Sequence, residues 1–238
     1  MDANEKPPPD AASGPAARSS VGTVAVDRFT TWLIVLNILV YVLDQSLRLH
    51  AQDSLGRTLV IPRALTQWGF FSNSAAIAGG EVWRFLTFQF LHQNLMHLGM
   101  NMLALYFFGP LIETTLGSRR FIVFYLLCGI AGALAFSILS LFGQVSVNGW
   151  LIGASAGVFG VLIASAQIAP DETVLIFGII PMKLRPLALL LMAIAVYTIF
   201  THGKNAGGEA AHLGGAAMGW LLIRNPSWLR LSTRAASP

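Results

Sequence analysis

Six apolar runs, each closed by polar or charged residues, constrain this chain more than any other feature. They cover roughly residues 29–47, 91–112, 120–142, 150–168, 184–200 and 210–223. A helix needs about 20 apolar residues to cross the hydrocarbon core of a bilayer. The first run has that length, and Asp44 near its end marks an interface. Only 11% of the residues are charged and 55% are hydrophobic, whereas a soluble domain carries about 25% charged residues. The pattern excludes an ordinary soluble globular domain. It predicts an all-α membrane protein, a bundle of six transmembrane helices over residues 29–226.

The segments between the runs have their own character. Residues 1–28 are rich in Pro, Ala and Ser, and Lys6-Pro-Pro-Pro9 cannot be helical, so this tail reads as disordered. No apolar core follows a basic start, so it is not a signal peptide. The connection 48–84 is amphipathic and holds Trp68, Phe70, Phe71 and Trp83. That predicts an interfacial loop after the first span. Residues 173–180 are too short to span and stop at Pro181, so they read as an interfacial or extended segment. Residues 227–238 form a short tail. The single cysteine, Cys128, cannot form an intramolecular disulfide, and no Cys-rich metal spacing exists. Neither a metal nor an organic cofactor is expected.

Lys and Arg report orientation in a membrane protein. With the N-terminus in the cytoplasm, ten fall inside: Lys6, Arg18, Arg28, Arg119, Arg120, Lys183, Arg185, Arg224, Arg230 and Arg234. Five fall outside: Arg48, Arg57, Arg63, Arg84 and Lys204. Both termini are therefore expected in the cytoplasm. Spans two, four and six then start from the outer face, and near their starts lie His92, His97 and Asn101, then Ser155, then His212. Ser155 should lie about one turn inside the start of its helix. Ionisable groups inside a membrane are costly and default to a functional reading. For any single histidine a bond to a neighbouring helix is the simpler account, and Ser155 alone could be part of a small-residue packing face. Convergence of all of them at one depth is not explained that way.

The set permits acyl transfer. A serine hydroxyl is a weak nucleophile without a base, and His212 is the best base in the chain. His212 sits beside Gly215 and Gly219, and Ser155 sits among Gly153, Ala156, Gly157 and Gly160. Two small-faced helices can pack closely enough for a serine–histidine hydrogen bond. Phe159, four residues after Ser155, shares its face and could stack on the imidazole. His97 and Asn101 are spaced i, i+4 and could both donate to an oxyanion, with the Ser155 backbone N–H as a third donor. Glu209 lies at the loop edge, so a Ser–His dyad without a carboxylate is expected. The pattern Gly153-Ala-Ser155-Ala-Gly157 also fits the nucleophile elbow of α/β-hydrolases, but that elbow needs a preceding strand, and none is expected here.

Four motifs in order carry a resemblance to the rhomboid family of intramembrane serine proteases: Glu81-Val-Trp83-Arg84, His97-Leu-Gly-Met-Asn101, Gly153-Ala-Ser155 and Ala211-His212-Leu-Gly-Gly215. The resemblance covers roughly residues 80–220 and implies a rhomboid-like six-helix bundle. It implies that Ser155 is the nucleophile, His212 the base, and His97 with Asn101 the oxyanion stabilisers. It also implies that Trp83, Arg84, His92 and Glu113 are structural. Ala156 departs from the family, where many relatives have glycine. Inactive relatives lack the serine or the histidine, and this chain keeps both.

The resemblance further implies cleavage of single-pass or polytopic membrane proteins in or near their transmembrane segments. The expected partners are those substrates and the lipid bilayer, with no nucleic acid. The expected location is a bacterial inner membrane. The alternative is a catalytically inactive rhomboid-like protein that binds or escorts transmembrane clients. A transporter with a histidine proton relay would need inverted repeats and paired broken helices, and the chain has neither.

Overall fold

A computed structural model of the chain describes residues 28–47, 50–52, 58–60, 63–176 and 179–229. Of the tail expected over 1–28, all but Arg28, which opens the first helix, lies outside the described residues, as do the last residues of the tail expected over 227–238 and part of the connection 48–84.

The chain is mostly helical. In order come α1 (Arg28–Ser46), a small hairpin of β1 (His50–Gln52) with β2 (Thr58–Val60), α2 (Ala64–Gly69), a tight turn over Asn73–Ala78 and α3 (Arg84–Thr87). Then come α4 (Leu95–Leu116), α5 (Ser118–Leu141), α6 (Ser155–Ile168), a second hairpin of β3 (Thr173–Ile176) with β4 (Ile180–Lys183), α7 (Leu184–Phe200) and α8 (Ala206–Arg224).

Among the described residues, three helices are long and apolar enough to cross a membrane: Phe29–Ser46, Leu95–Leu116 and Ser118–Leu141. The helices α6 and α7 are apolar but shorter. At 1.5 Å per residue, the 14 residues of α6 reach about 21 Å, against a hydrocarbon core of about 30 Å. α6 has little need of an apolar coat, because nine of its residues are buried against protein. α8 is rich in Gly and Ala, which serve close packing more than lipid contact.

Two expected helix starts shift. The second run begins its helix at Leu95, not 91, because the Asn94 side chain caps it by accepting from the His97 N–H at 2.8 Å. His92 therefore precedes the helix. The fourth run begins its helix at Ser155 itself, not a turn earlier, because Gly153 adopts φ 131° and redirects the chain just before it. Residues 173–183 form an antiparallel hairpin in which Thr173 faces Lys183 and Ile176 faces Ile180. At its base, a 2.8 Å hydrogen bond from Lys183 Nζ holds the exposed Asp171 carboxyl below the usual carboxylate range.

The core lies between α4, α5, α6 and α8. Leu105, Ile112, Phe121, Phe124, Tyr125 and Val161 are fully enclosed there. α6 and α8 approach backbone to backbone: a Cβ on Gly215 would collide with the Ala156 carbonyl, and one on Gly219 with the Gly160 carbonyl. α1 is pinned at both ends. Near its start the Glu113 carboxylate accepts from Phe29 N at 3.0 Å, Thr30 N at 2.8 Å and Thr30 Oγ1 at 2.8 Å. Near its end the buried Asp44 accepts from Thr66 N at 3.0 Å and Thr66 Oγ1 at 2.6 Å, with Arg63 3.7 Å away.

Candidate active site

The first turn of α6 and the second turn of α8 meet where their glycines allow it. There His212 Nε2 lies 2.8 Å from Ser155 Oγ. Phe159, one turn after Ser155, stacks on the imidazole with ring centroids 4.1 Å apart and planes 6° apart. Both rings of that stack are held by helices whose backbones touch, so their separation is fixed by the fold.

The third side of the site is α4. A Cβ on Gly153 would sit 2.7 Å from His97 Nε2 and 3.6 Å from Ser155 Oγ. The absence of that carbon is what lets the His97 ring reach the serine side of the turn. Asn101 is buried and donates from Nδ2 to the His97 carbonyl at 2.9 Å, which leaves its second amide hydrogen for another acceptor. The Ser155 N–H sits in the first turn of α6, where no intrahelical acceptor exists.

The turn 149–154 is strapped to the segment that follows α2. Phe71 and Leu151 exchange two backbone hydrogen bonds of 3.0 and 2.8 Å, and Gly153 N donates to Phe88 O at 2.9 Å. His92 is buried, with its ring 5.1 Å from that of His97 and its Nε2 3.5 Å from the Ala154 N–H. Arg84 is buried too. It donates to Phe70 O at 2.7 Å and Gln67 O at 3.1 Å, pairs with Glu81, and lies over the Phe70 ring. Trp83 stacks on Trp68 at 5.7 Å. None of these residues touches Ser155; they hold the backbone that carries it. An open cleft of about 690 Å³, walled in part by His97, Trp150, Lys204 and Asn205, lies beside the site; neither Ser155 nor His212 lines it.

Residues 79–225 match the family model described as the Rhomboid domain. The chain belongs to the rhomboid family. It is 35% identical over 141 residues to "Rhomboid protein 1, mitochondrial" of Saccharomyces cerevisiae, covering 56% of this chain and 38% of that protein. It is 36% identical over 141 residues to the rhomboid protease GluP of Bacillus subtilis, covering 59% of this chain and 24% of that protein. To the rhomboid protease AarA of Providencia stuartii it is 28% identical over 222 residues, 87% of this chain and 74% of that protein. The chain thus spans only about a quarter to two fifths of the first two relatives' own lengths, 24% and 38%. It is a rhomboid membrane protein, with relatives named as proteases.

Glu209 Oε2 lies 2.9 Å from His212 Nδ1, a contact that the expected dyad without a carboxylate does not include. The loop edge expected at Glu209 is the first turn of a helix. The helix starts at Ala206, so Glu209 and His212 stand i, i+3 on one face. Asn205, just before the helix, also escaped notice; its Nδ2 donates to Glu209 Oε1 at 3.2 Å. The signal was present as Asn205 and Glu209 spaced four apart around two glycines.

Proposed function

We propose that this rhomboid is an intramembrane serine endopeptidase that hydrolyses peptide bonds in or near transmembrane segments of membrane-protein substrates. The observation that carries the reading is the 2.8 Å contact between His212 Nε2 and Ser155 Oγ, the separation a general base needs to take a hydroxyl proton.

In the reaction, Ser155 Oγ attacks the scissile carbonyl carbon while its proton passes to His212 Nε2. The carbonyl oxygen becomes an oxyanion. The Ser155 N–H, the His97 ring and the free amide hydrogen of Asn101 are the donors available to it. The C–N bond breaks as His212 returns the proton to the leaving amine, which departs with the C-terminal fragment. Water then attacks the acyl ester, His212 takes one of its protons, and Ser155 regains its hydrogen as the N-terminal fragment leaves as an acid. A substrate helix must unwind locally first, because its amides are bonded and shielded, so Gly or Pro near the cut favours cleavage.

The six runs and the ten-to-five distribution of Lys and Arg support six spans with both termini in the cytoplasm. We place the protein in a bacterial inner membrane.

The test is cleavage of a model transmembrane substrate by purified protein in detergent. The wild type cuts near the outer end of the substrate helix. Ser155→Ala and His212→Ala each lose at least about 10³-fold in rate, as removal of a nucleophile or its base does elsewhere. A wild type that binds several substrates and cuts none supports the escort reading instead.

A further inference from the structure

Both nitrogens of the His212 ring and both oxygens of the Glu209 carboxylate are engaged. Nδ1 lies 2.9 Å from Glu209 Oε2, and Nε2 lies 2.8 Å from Ser155 Oγ. Glu209 Oε1 accepts from Asn205 Nδ2 at 3.2 Å, and Glu209 N donates to Asn205 O at 2.9 Å. Gly208 makes room for this turn, since a Cβ there would lie 2.7 Å from Asn205 Nδ2. The carboxylate and the imidazole are each mostly covered, at 16% and 13% side-chain exposure. An exposed i, i+3 pair would be worth little; this one is sheltered and continues to the serine.

An ionised carboxylate only accepts. The proton on a neutral His212 ring must therefore sit on Nδ1, which leaves Nε2 as the acceptor facing the serine hydroxyl. When the ring takes the serine proton, the same carboxylate faces the new positive charge.

We propose that Glu209 is a positioning residue, held by Asn205, that fixes the proton of His212 on Nδ1 and so presents Nε2 to Ser155. The arrangement is a Ser–His–Glu triad in which Glu209 and His212 share one turn of α8 and Ser155 comes from α6. It rests on the protease reading above. Glu209 touches neither substrate nor reacting atoms and acts through His212.

Other groups surround the ring. From α6 it meets Ser155 and Phe159. His202 and Lys204 stand on the wall of the adjoining cleft. Glu209 is the acidic group bonded to the ring.

The experiment has two arms on purified full-length protein in detergent. In the first, histidine is labelled with nitrogen-15, and the His212 ring is assigned by difference from His212→Ala. The wild-type ring carries its proton on Nδ1, and in Glu209→Ala the proton moves to Nε2. A ring that keeps Nδ1–H without Glu209 overturns the proposal.

In the second arm, steady-state cleavage of a transmembrane substrate is measured. Glu209→Ala lowers kcat by as much as about 10⁴-fold, with KM within about twofold, on the scale of a triad acid removed elsewhere. Glu209→Asp recovers part of the rate. An unchanged kcat, or a loss confined to KM, overturns the proposal. The first arm does not depend on turnover. A wild type with Nδ1–H that responds to Glu209→Ala but cuts nothing refutes the protease reading and leaves the Glu209–His212 assignment standing.

Discussion

The phenyl ring of Phe159 lies parallel to the imidazole of His212, centroids 4.1 Å apart and planes 6° apart. Phe159 and Ser155 stand one turn apart on α6, so a single helix face presents a hydroxyl to the edge of the imidazole and a ring to its flat side. A stacked aromatic pair contributes about 0.5–1.5 kcal/mol. Phe159→Ala should therefore lower kcat about two- to tenfold by loosening the imidazole, with little change in thermal stability. Steady-state cleavage in detergent measures this; an unchanged kcat would show that the helices alone hold His212.

Gly153 makes a sharper prediction. Its φ of 131° is strained for any side chain, and a Cβ would press on His97 Nε2 and Cε1 at 2.7 Å. Gly153→Ala should cost about 1–3 kcal/mol of stability from backbone strain and lower the cleavage rate far more than the melting temperature, since it displaces the turn before Ser155. Retention of near wild-type turnover would mean that the turn can be rebuilt without harm.

Two glycines on the helices form a matched pair of tests. Gly215→Ala drives a methyl into the Ala156 carbonyl, while Gly99→Ala meets nothing within 4 Å. The first should destabilise by at least about 1–3 kcal/mol through overpacking and reduce activity, because it parts the helices that carry Ser155 and His212. The second should be neutral or stabilise by up to about 1 kcal/mol, the helix preference of Ala over Gly. Thermal unfolding of the two variants, read side by side, decides it.

Glu113 separates stability from catalysis. It lies sixteen residues beyond His97 on α4, about 24 Å along the axis, and caps α1 through Phe29 and Thr30. Glu113→Gln should cost about 1–3 kcal/mol, the scale of a buried hydrogen-bonding group left short of partners. The kcat of the folded fraction should stay within about twofold. A large loss of kcat at full folding would place α1 in the reaction.

Much of this was legible in the sequence because membranes impose simple rules. The apolar runs announced helices, and the rarity of charge made His97, His212 and Ser155 conspicuous. Helix ends were harder to read. Apolar content runs straight through residues 91–94 and 150–154, and only the Asn94 cap and the Gly153 turn mark where the helices begin. Glu209 depends on the same kind of boundary: a helix start at Ala206 instead of 210 brings the carboxylate expected at the loop edge into the first turn, beside His212. The hairpin over residues 173–183 depends on pairing across a turn, which periodicity in so short a stretch does not reveal.

The helix that carries Ser155 is almost wholly wrapped by its neighbours; of its residues only Ile168, at the far end, is exposed. Tilting and thickness mismatch act on helices that face lipid. A membrane that thins or stiffens therefore pushes first on helices whose outer faces are broad and apolar, α1, α4 and α7 among them. The strain reaches Ser155 only as far as those helices pass it inward.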